Sequence, residues 1–92
     1  MSYQLKLTRN ALEDIEFLKR GGDKTVLKKL AKLLEELIEH PSTGTGHPEE
    51  LKHNYSGDWS RRISLKHRII YRIEKDDQTV IVLYIGGHYD NK

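Results

Sequence analysis

Cysteine is absent from the 92 residues of this chain. Its absence excludes a disulfide framework and a thiolate zinc site, and it fits a reducing compartment. Long apolar runs are absent too: none is long enough to span a bilayer, and the residues after Met1 lack the apolar core of a signal peptide. We therefore expect a soluble protein of the cytoplasm that does not engage a membrane.

Hydrophobic residues make up only 36% of the chain, against 33% charged residues. The length and this composition predict one domain over residues 1–92 with a small core. The net charge of +2 identifies no partner, but the basic residues are clustered. Six of them accompany one acid between residues 19 and 32, and six more lie between residues 47 and 72. Such patches favour contact with phosphates, although a solvated lysine-rich helix face explains the first patch equally well.

Two periodicities in the N-terminal half predict a strand followed by a helical hairpin. Residues 3–7 alternate apolar and polar side chains, which is typical of a half-buried strand. Thr8 or Asn10 can then cap a first helix. A second helix is predicted over residues 24–40, where apolar residues recur at three-and-four spacing, and Pro41 ends it. The two helices are expected to pack on one face of a sheet.

Strands and turns are predicted for the C-terminal half. A short extended piece over residues 51–54 precedes strands over residues 59–64 and 67–74. Residues 79–85 are apolar almost throughout, so we expect a central strand that is covered on both faces. The fold class is therefore α+β: an N-terminal strand, a two-helix hairpin and a C-terminal antiparallel sheet.

Arginines in the predicted strands suggest a phosphate site. Arg68 falls on the face opposite the main apolar row of its strand, because side chains alternate between the two faces. Arg61 and Arg62 fall on opposite faces of the preceding strand, so one of them can join Arg68. Such a cluster would clamp a phosphate bidentately. A surface ion-pair ladder with Glu50 or Glu74 is the alternative.

Two further residues are candidates for proton transfer. The five histidines show no paired ligand spacing, so we expect no metal and no other cofactor. His88 is the histidine that follows the apolar strand and two glycines, and an imidazole there is suited to donating a proton near neutral pH. Glu49 follows Pro48 at a loop-to-strand junction, where a carboxylate can accept a proton from a ribose 2′-hydroxyl. Taken alone, such a glutamate is more often a solvated acid.

The arrangement of these residues resembles the YoeB/Txe toxins of the RelE superfamily, which belong to bacterial type II toxin–antitoxin systems. The matching segments are PE at 48–49, LKHN at 51–54, SG at 56–57, WSRRI at 59–63, HR at 67–68, Tyr71 and HY at 88–89. The N-terminal half agrees mainly in element order and length. The resemblance implies a RelE/ParE-like fold.

The resemblance also implies a ribosome-dependent mRNA endonuclease that cleaves in the ribosomal A site without metal. By position, Glu49 would be the general base, Arg68 would stabilise the pentavalent phosphorane, and His88 would be the general acid. Substrate contacts would come from Arg61, Arg62, Tyr89, Lys52 and His53, and ribosome contacts from Lys24, Lys28, Lys29 and Lys32. A YefM-like antitoxin would hold the toxin inactive. The sequence leaves open whether the toxin alone is a monomer or a homodimer.

Two alternatives stay open. The chain resembles, more distantly, ParE-like toxins that bind DNA gyrase and cleave nothing, although Glu49 together with His88 argues against this. The second alternative is an inactive module that binds nucleic acid or protein through the same basic residues. The chain also departs from the family pattern, with Asp58 where a hydrophobic or aromatic residue is usual and with Gly86 and Gly87 where bulkier residues are usual.

Overall fold

The structure, a computed structural model of the chain, describes residues 2–46, 48–51 and 57–86. In chain order the elements are β1 (Gln4–Leu7), α1 (Arg9–Gly21), α2 (Lys24–Glu39), β2 (Glu49–Glu50), β3 (Asp58–Arg62), β4 (Arg68–Glu74) and β5 (Thr79–Gly86). The predicted α+β class, with an N-terminal strand, a helical hairpin and a sheet that is mostly antiparallel, is confirmed.

Local side chains determine where the helices begin and end. Thr8 is the N-cap of α1, and its Oγ1 accepts a hydrogen bond from the Ala11 N–H at 3.1 Å. Gly22 ends the helix in the left-handed conformation, with a φ of 76°, which glycine adopts without a steric cost. Asp23 then caps α2 by accepting from the Val26 N–H at 3.2 Å. Neither helix is long and apolar enough to cross a bilayer, within the residues described.

The five strands of the described segments have the order β1-β5-β4-β3-β2. β1 pairs with β5 in parallel, and the other neighbours pair antiparallel. β5 therefore lies inside the sheet, as predicted. Its expected coverage on both faces is wrong, because Val80 and Val82 are 0% exposed whereas Ile81 and Tyr84 are only half-buried.

The helices cover one face of the sheet, which we call the helix face. The buried cluster there joins apolar residues of both helices to Ile63, which follows β3, and to residues of β4 and β5: Ala11, Val26, Leu30, Leu33, Leu37, Ile63, Ile69, Tyr71, Val80, Val82 and Ile85. Each large aliphatic side chain buried in this way contributes roughly 1.5–3 kcal/mol to folding. The cluster therefore determines which face of each strand points to the helices.

The short strand before β3 differs from the prediction. β2 comprises Glu49 and Glu50, two residues earlier than the extended piece expected over residues 51–54. Leu51 is buried and its N–H donates to the Asp58 carbonyl at 2.8 Å, outside any strand. Residues 52–54 lie outside the described part of the chain. The alternating burial that marks a strand is too short here to be read from sequence.

Candidate functional site

Strand pairing brings a carboxylate and two arginines to the same face of the sheet. Arg62 lies directly opposite Arg68, and Ser60 lies opposite Ile70. On the other side of β3, Glu49 lies opposite Ser60. Directly opposite residues of an antiparallel pair project from the same face. These five residues therefore share the face away from the helices, which we call the distal face.

The distal face has a buried floor with charged groups on either side of it. Ser60 and Ile70 are 1% exposed, whereas Glu49 and Arg62 are exposed and Arg68 is half-buried. Glu49 and Arg68 are two strands apart and offset by two residues along the sheet, which together correspond to about 12 Å between their backbones. A group seated over the floor can therefore meet a carboxylate on one side and guanidinium groups on the other. The sequence prediction that one arginine of β3 joins Arg68 is confirmed, and that arginine is Arg62.

A β-bulge changes the facing of residues near the end of β5. Ile70 lies opposite Tyr84 and Tyr71 lies opposite Val82, so Leu83 is an extra residue in β5. Val82 projects to the helix face with Tyr71. Tyr84, two residues later, projects to the distal face with Ile70. Without the extra residue, regular alternation would place both on the helix face.

Two side chains at the start of α1 hold this bulge. The Thr8 hydroxyl donates to the Leu83 carbonyl at 2.6 Å, and the Ile85 N–H donates to Asp14 Oδ2 at 2.8 Å. A bulge interrupts the ladder, so its backbone groups need partners from elsewhere. The sequence suggested only that Thr8 could cap a helix. These two hydrogen bonds could not be predicted from local sequence patterns, because their partners are 75 and 71 residues apart.

The buried position of Arg61 corrects the prediction that it contacts substrate. Arg61 is 0% exposed and lies opposite Ile69 on the helix face. Its Nη1 donates to Glu36 Oε1 at 3.0 Å, and its Nη2 donates to the carbonyls of His40 and Thr43, both at 2.7 Å. The Arg61 guanidinium is therefore buried and hydrogen-bonded to the loop after α2. We call this arrangement the loop anchor.

Glu36 extends this anchor to the next residues of the loop. It accepts hydrogen bonds from the Thr45 N–H at 3.0 Å and from the Thr45 hydroxyl at 2.8 Å. Desolvation acts to raise the pKa of Glu36, but the Thr45 hydrogen bonds and the charges of Arg61 and Lys32 outweigh it and lower the pKa below its ordinary value. The carboxylate is therefore held in its ionised form.

Tyr71 of the family motif belongs to the same anchor. Its hydroxyl donates to the Pro41 carbonyl at 2.6 Å, and its ring centroid lies 5.9 Å from the Arg61 guanidinium carbon. Burial raises the pKa of Tyr71, although the nearby Arg61 opposes that shift. Tyr71 therefore acts as a neutral hydrogen-bond donor inside the protein.

The loop is joined directly to β3 just before it reaches Glu49. The Arg62 N–H donates to the Gly46 carbonyl at 2.6 Å. Gly46 has a φ of 86°, and a Cβ there would lie 2.6 Å from the Arg62 carbonyl oxygen. Only glycine fits this contact. This bond holds the end of the loop against β3, so that β2, and therefore Glu49, lies beside β3.

A second ion pair lies at the other end of the distal face. Asp58 and Arg72 are directly opposite, and the Arg72 Nε donates to Asp58 Oδ1 at 2.8 Å. This hydrogen bond raises the pKa of Arg72. The alternative considered from sequence was a ladder of surface ion pairs between the strand arginines and Glu50 or Glu74. The structure instead pairs Arg72 with Asp58, the residue that departs from the family pattern. The Arg72 charge is therefore neutralised locally.

The remaining predicted residues are divided between α2 and the undescribed segments. Lys24, Lys28 and Lys32 are exposed on α2 and Lys29 is half-buried, so all four lie on the helical side of the sheet. Lys52, His53, His88 and Tyr89 lie outside the described residues. Among the residues described, no group of three or more histidine, cysteine or acidic side chains could hold a metal ion.

Comparison with known proteins gives consistent matches. Residues 7–89 match the family model of the YoeB-like toxins of bacterial type II toxin–antitoxin systems. Toxin YoeB of Escherichia coli K12 is 40% identical over 67 residues, which are 73% of this chain and 77% of that protein. The solved YoeB/ParE toxin from Agrobacterium tumefaciens has a TM-score of 0.84 at 35% identity, covering 94% of this chain and 99% of that one. The toxin in a heterotetrameric YoeB–YefM complex from Staphylococcus aureus has a TM-score of 0.79 at 31% identity, covering 95% and 98%.

Proposed function

This chain belongs to the YoeB-like toxins of bacterial type II toxin–antitoxin systems, and we propose that it is an mRNA endonuclease acting in the ribosomal A site. The observation that carries the proposal is the common facing of Glu49, Arg62 and Arg68 on the distal face. A carboxylate can accept the 2′-hydroxyl proton and paired guanidinium groups can stabilise the phosphorane, which are two of the functions that metal-free cleavage of a ribose phosphodiester needs. The toxin class is established by the family, and the reaction is the proposed part.

The proposed reaction is an in-line attack by the ribose 2′-oxygen on the adjacent phosphorus. Glu49 accepts the proton of the 2′-hydroxyl as general base. Arg68, with Arg62 beside it, stabilises the negative charge that develops on the phosphorane oxygens. His88 donates a proton to the leaving 5′-oxygen. The products are a 2′,3′-cyclic phosphate and a 5′-hydroxyl, and no metal ion takes part.

Substrate and ribosome contacts are assigned by position. Tyr89 is proposed to stack on or orient the substrate, and Lys52 and His53 to contact it. The exposed lysines of α2 would grip ribosomal RNA from the other side of the sheet, adding a salt-dependent electrostatic contribution to binding. Arg61 is left out of this assignment because its guanidinium is buried.

A YefM-like antitoxin is the proposed partner that holds the toxin inactive in the cytoplasm. The similar toxin from Staphylococcus aureus was solved in a heterotetrameric YoeB–YefM complex. An acidic or amphipathic antitoxin segment across Arg62 and Arg68 would neutralise both charges and block the substrate. Disordered segments can cover such a surface because they order on binding. A toxin homodimer is also compatible with this assembly.

The test is cleavage of mRNA on programmed ribosomes by the purified protein, with Glu49→Gln as the matched inactive variant. Mapping of the cuts and analysis of their ends should give A-site cleavage with cyclic phosphates and 5′-hydroxyls. Cleavage on programmed ribosomes should also persist in EDTA under conditions that keep the ribosomes intact, which tests metal independence. Products with 5′-phosphates would exclude this mechanism. Failure of the parental protein to cleave mRNA would exclude it as well. Inhibition of DNA gyrase without RNA cleavage would support the ParE-like alternative.

A further inference from the structure

Tyr84 is an aromatic residue of the distal face that the assigned reaction does not use. It lies opposite Ile70, in the cross-strand row that continues through Ser60 to Glu49. Its side chain is half-buried. Among the described residues, the helix-face cluster includes other aromatic side chains packed on it, such as Tyr3 and Trp59, but not Tyr84. The ring therefore does not contribute to the core under the helices.

The facing of Tyr84 depends on the β5 bulge. Val80 and Val82 project to the helix face, and regular alternation would carry Tyr84 there as well. The extra residue Leu83 turns it to the distal face instead. The bonds from Thr8 and Asp14 hold the backbone in this arrangement. The fold thus contains a specific device that presents this ring beside the candidate site.

Among the described residues, Tyr84 has one basic neighbour on that face, and two more basic residues lie further away. Gly86 lies opposite Arg68, so Tyr84, two residues before it, is a diagonal neighbour of Arg68. Diagonal neighbours are about 7–8 Å apart, within the reach of aromatic and long side chains. Arg62 is one strand further, and exposed Lys6 lies beside Ile81 on the same face. β1 ends opposite Val82, and beyond that point Thr8 and Asp14 contact the same edge of β5 at Leu83 and Ile85.

We propose that Tyr84 is a substrate-binding residue whose ring stacks on an RNA base next to the phosphate held by Arg68. This inference rests on the proposed endonuclease function. Aromatic rings interleaved with basic side chains bind single-stranded nucleic acid because every base has a face on which a ring can stack. A phosphate over the distal floor would place the base of an adjacent nucleotide within reach of the Tyr84 ring.

The experiment measures single-turnover cleavage at increasing concentrations of programmed ribosomes. Tyr84→Leu and Tyr84→Gln remove the ring, Tyr84→Phe keeps it, and Tyr3→Leu is the control at a half-buried tyrosine packed on the helix-face cluster. Both nonaromatic variants should raise the half-saturating ribosome concentration roughly 5- to 150-fold, as loss of one stacked base would. Their saturated rate should stay near the parental one. Tyr84→Phe keeps the ring and should keep the parental half-saturating concentration. Tyr3→Leu should lower the melting temperature without that binding defect.

Each outcome decides a separate point. If the parental protein cleaves no mRNA, the proposed function fails and the role of Tyr84 fails with it. If the parental protein cleaves and both nonaromatic variants saturate at its ribosome concentration, the stacking role alone is wrong. If both variants lose melting temperature as Tyr3→Leu does, the ring is a structural cover and the inference is overturned.

Discussion

Replacing Arg61 with methionine should show that the two adjacent arginines of β3 have different roles, Arg61 in stability and Arg62 in cleavage. Arg61→Met removes a guanidinium that donates to Glu36 and to the carbonyls of His40 and Thr43, while an apolar chain of similar length remains. Glu36 loses the cation that lies 3.0 Å from its oxygen. Arg62→Met is the matched control, because Arg62 is the next residue of the same strand and is exposed.

The size of the effect follows from the contacts that remain. Removing one partner of a buried ion pair costs about 3–5 kcal/mol, because the other charge is left uncompensated. Glu36 keeps both bonds from Thr45 and its side chain is 23% exposed, so we expect the lower end of that range for Arg61→Met. A loss of about 3 kcal/mol lowers the melting temperature of a domain of this size by roughly 12–24 °C. It is a large fraction of the roughly 5–15 kcal/mol that stabilises a typical domain.

Urea unfolding followed by Trp59 fluorescence measures this free energy, and single-turnover cleavage measures the reaction. Arg61→Met should unfold at much lower urea. Arg62→Met should keep its free energy of unfolding within about 0.5 kcal/mol of the parental value and lose cleavage rate instead. The reasoning is refuted if Arg61→Met unfolds like the parental protein and yet cleaves slowly, since its guanidinium would then act on the substrate.

Further predictions concern the proton-transfer pair, the loop anchor, the bulge and the lysine-rich helix. Glu49→Gln and His88→Gln should each slow single-turnover cleavage by about 10²–10⁴-fold with little loss of ribosome binding; parental rates in both would refute the acid–base assignment. The lowered pKa of Glu36 implies stability that is fully present above its ordinary value of 4.5 and is lost as the pH falls through the lower folded value. In urea titrations, the difference in free energy of unfolding between the parental protein and Glu36→Gln should therefore decrease as the pH falls below 4.5. A difference that stays constant would contradict this. Asp14→Ala should cost about 1–3 kcal/mol in urea unfolding, because the bulge N–H loses its acceptor, and should also slow cleavage. Lys28→Ala should weaken ribosome binding more at low salt than at high salt and leave the saturated rate intact; a salt-independent defect would argue against a phosphate contact.

Local patterns in the sequence were sufficient to predict the α+β class and most elements. Alternation in residues 67–74 determines that Arg68 points away from the apolar row, because successive side chains of a strand project to opposite faces. The helix spacing, the Thr8 cap and the stop at Pro41 are likewise short-range features. The family resemblance rested on short segments read directly from the sequence, and the assignment to YoeB-like toxins is confirmed.

Only the tertiary structure decided which of two adjacent arginines reaches the distal face. Alternation shows that Arg61 and Arg62 point in opposite directions, but not which side the helices cover. Pairing with β4 and packing of α2 settle this by burying Arg61 against Glu36. The facing of Tyr84 was equally beyond the sequence, because a single extra residue reverses the alternation and its partners come from α1. In each case the deciding contact joins residues far apart along the chain, so no local pattern encodes it.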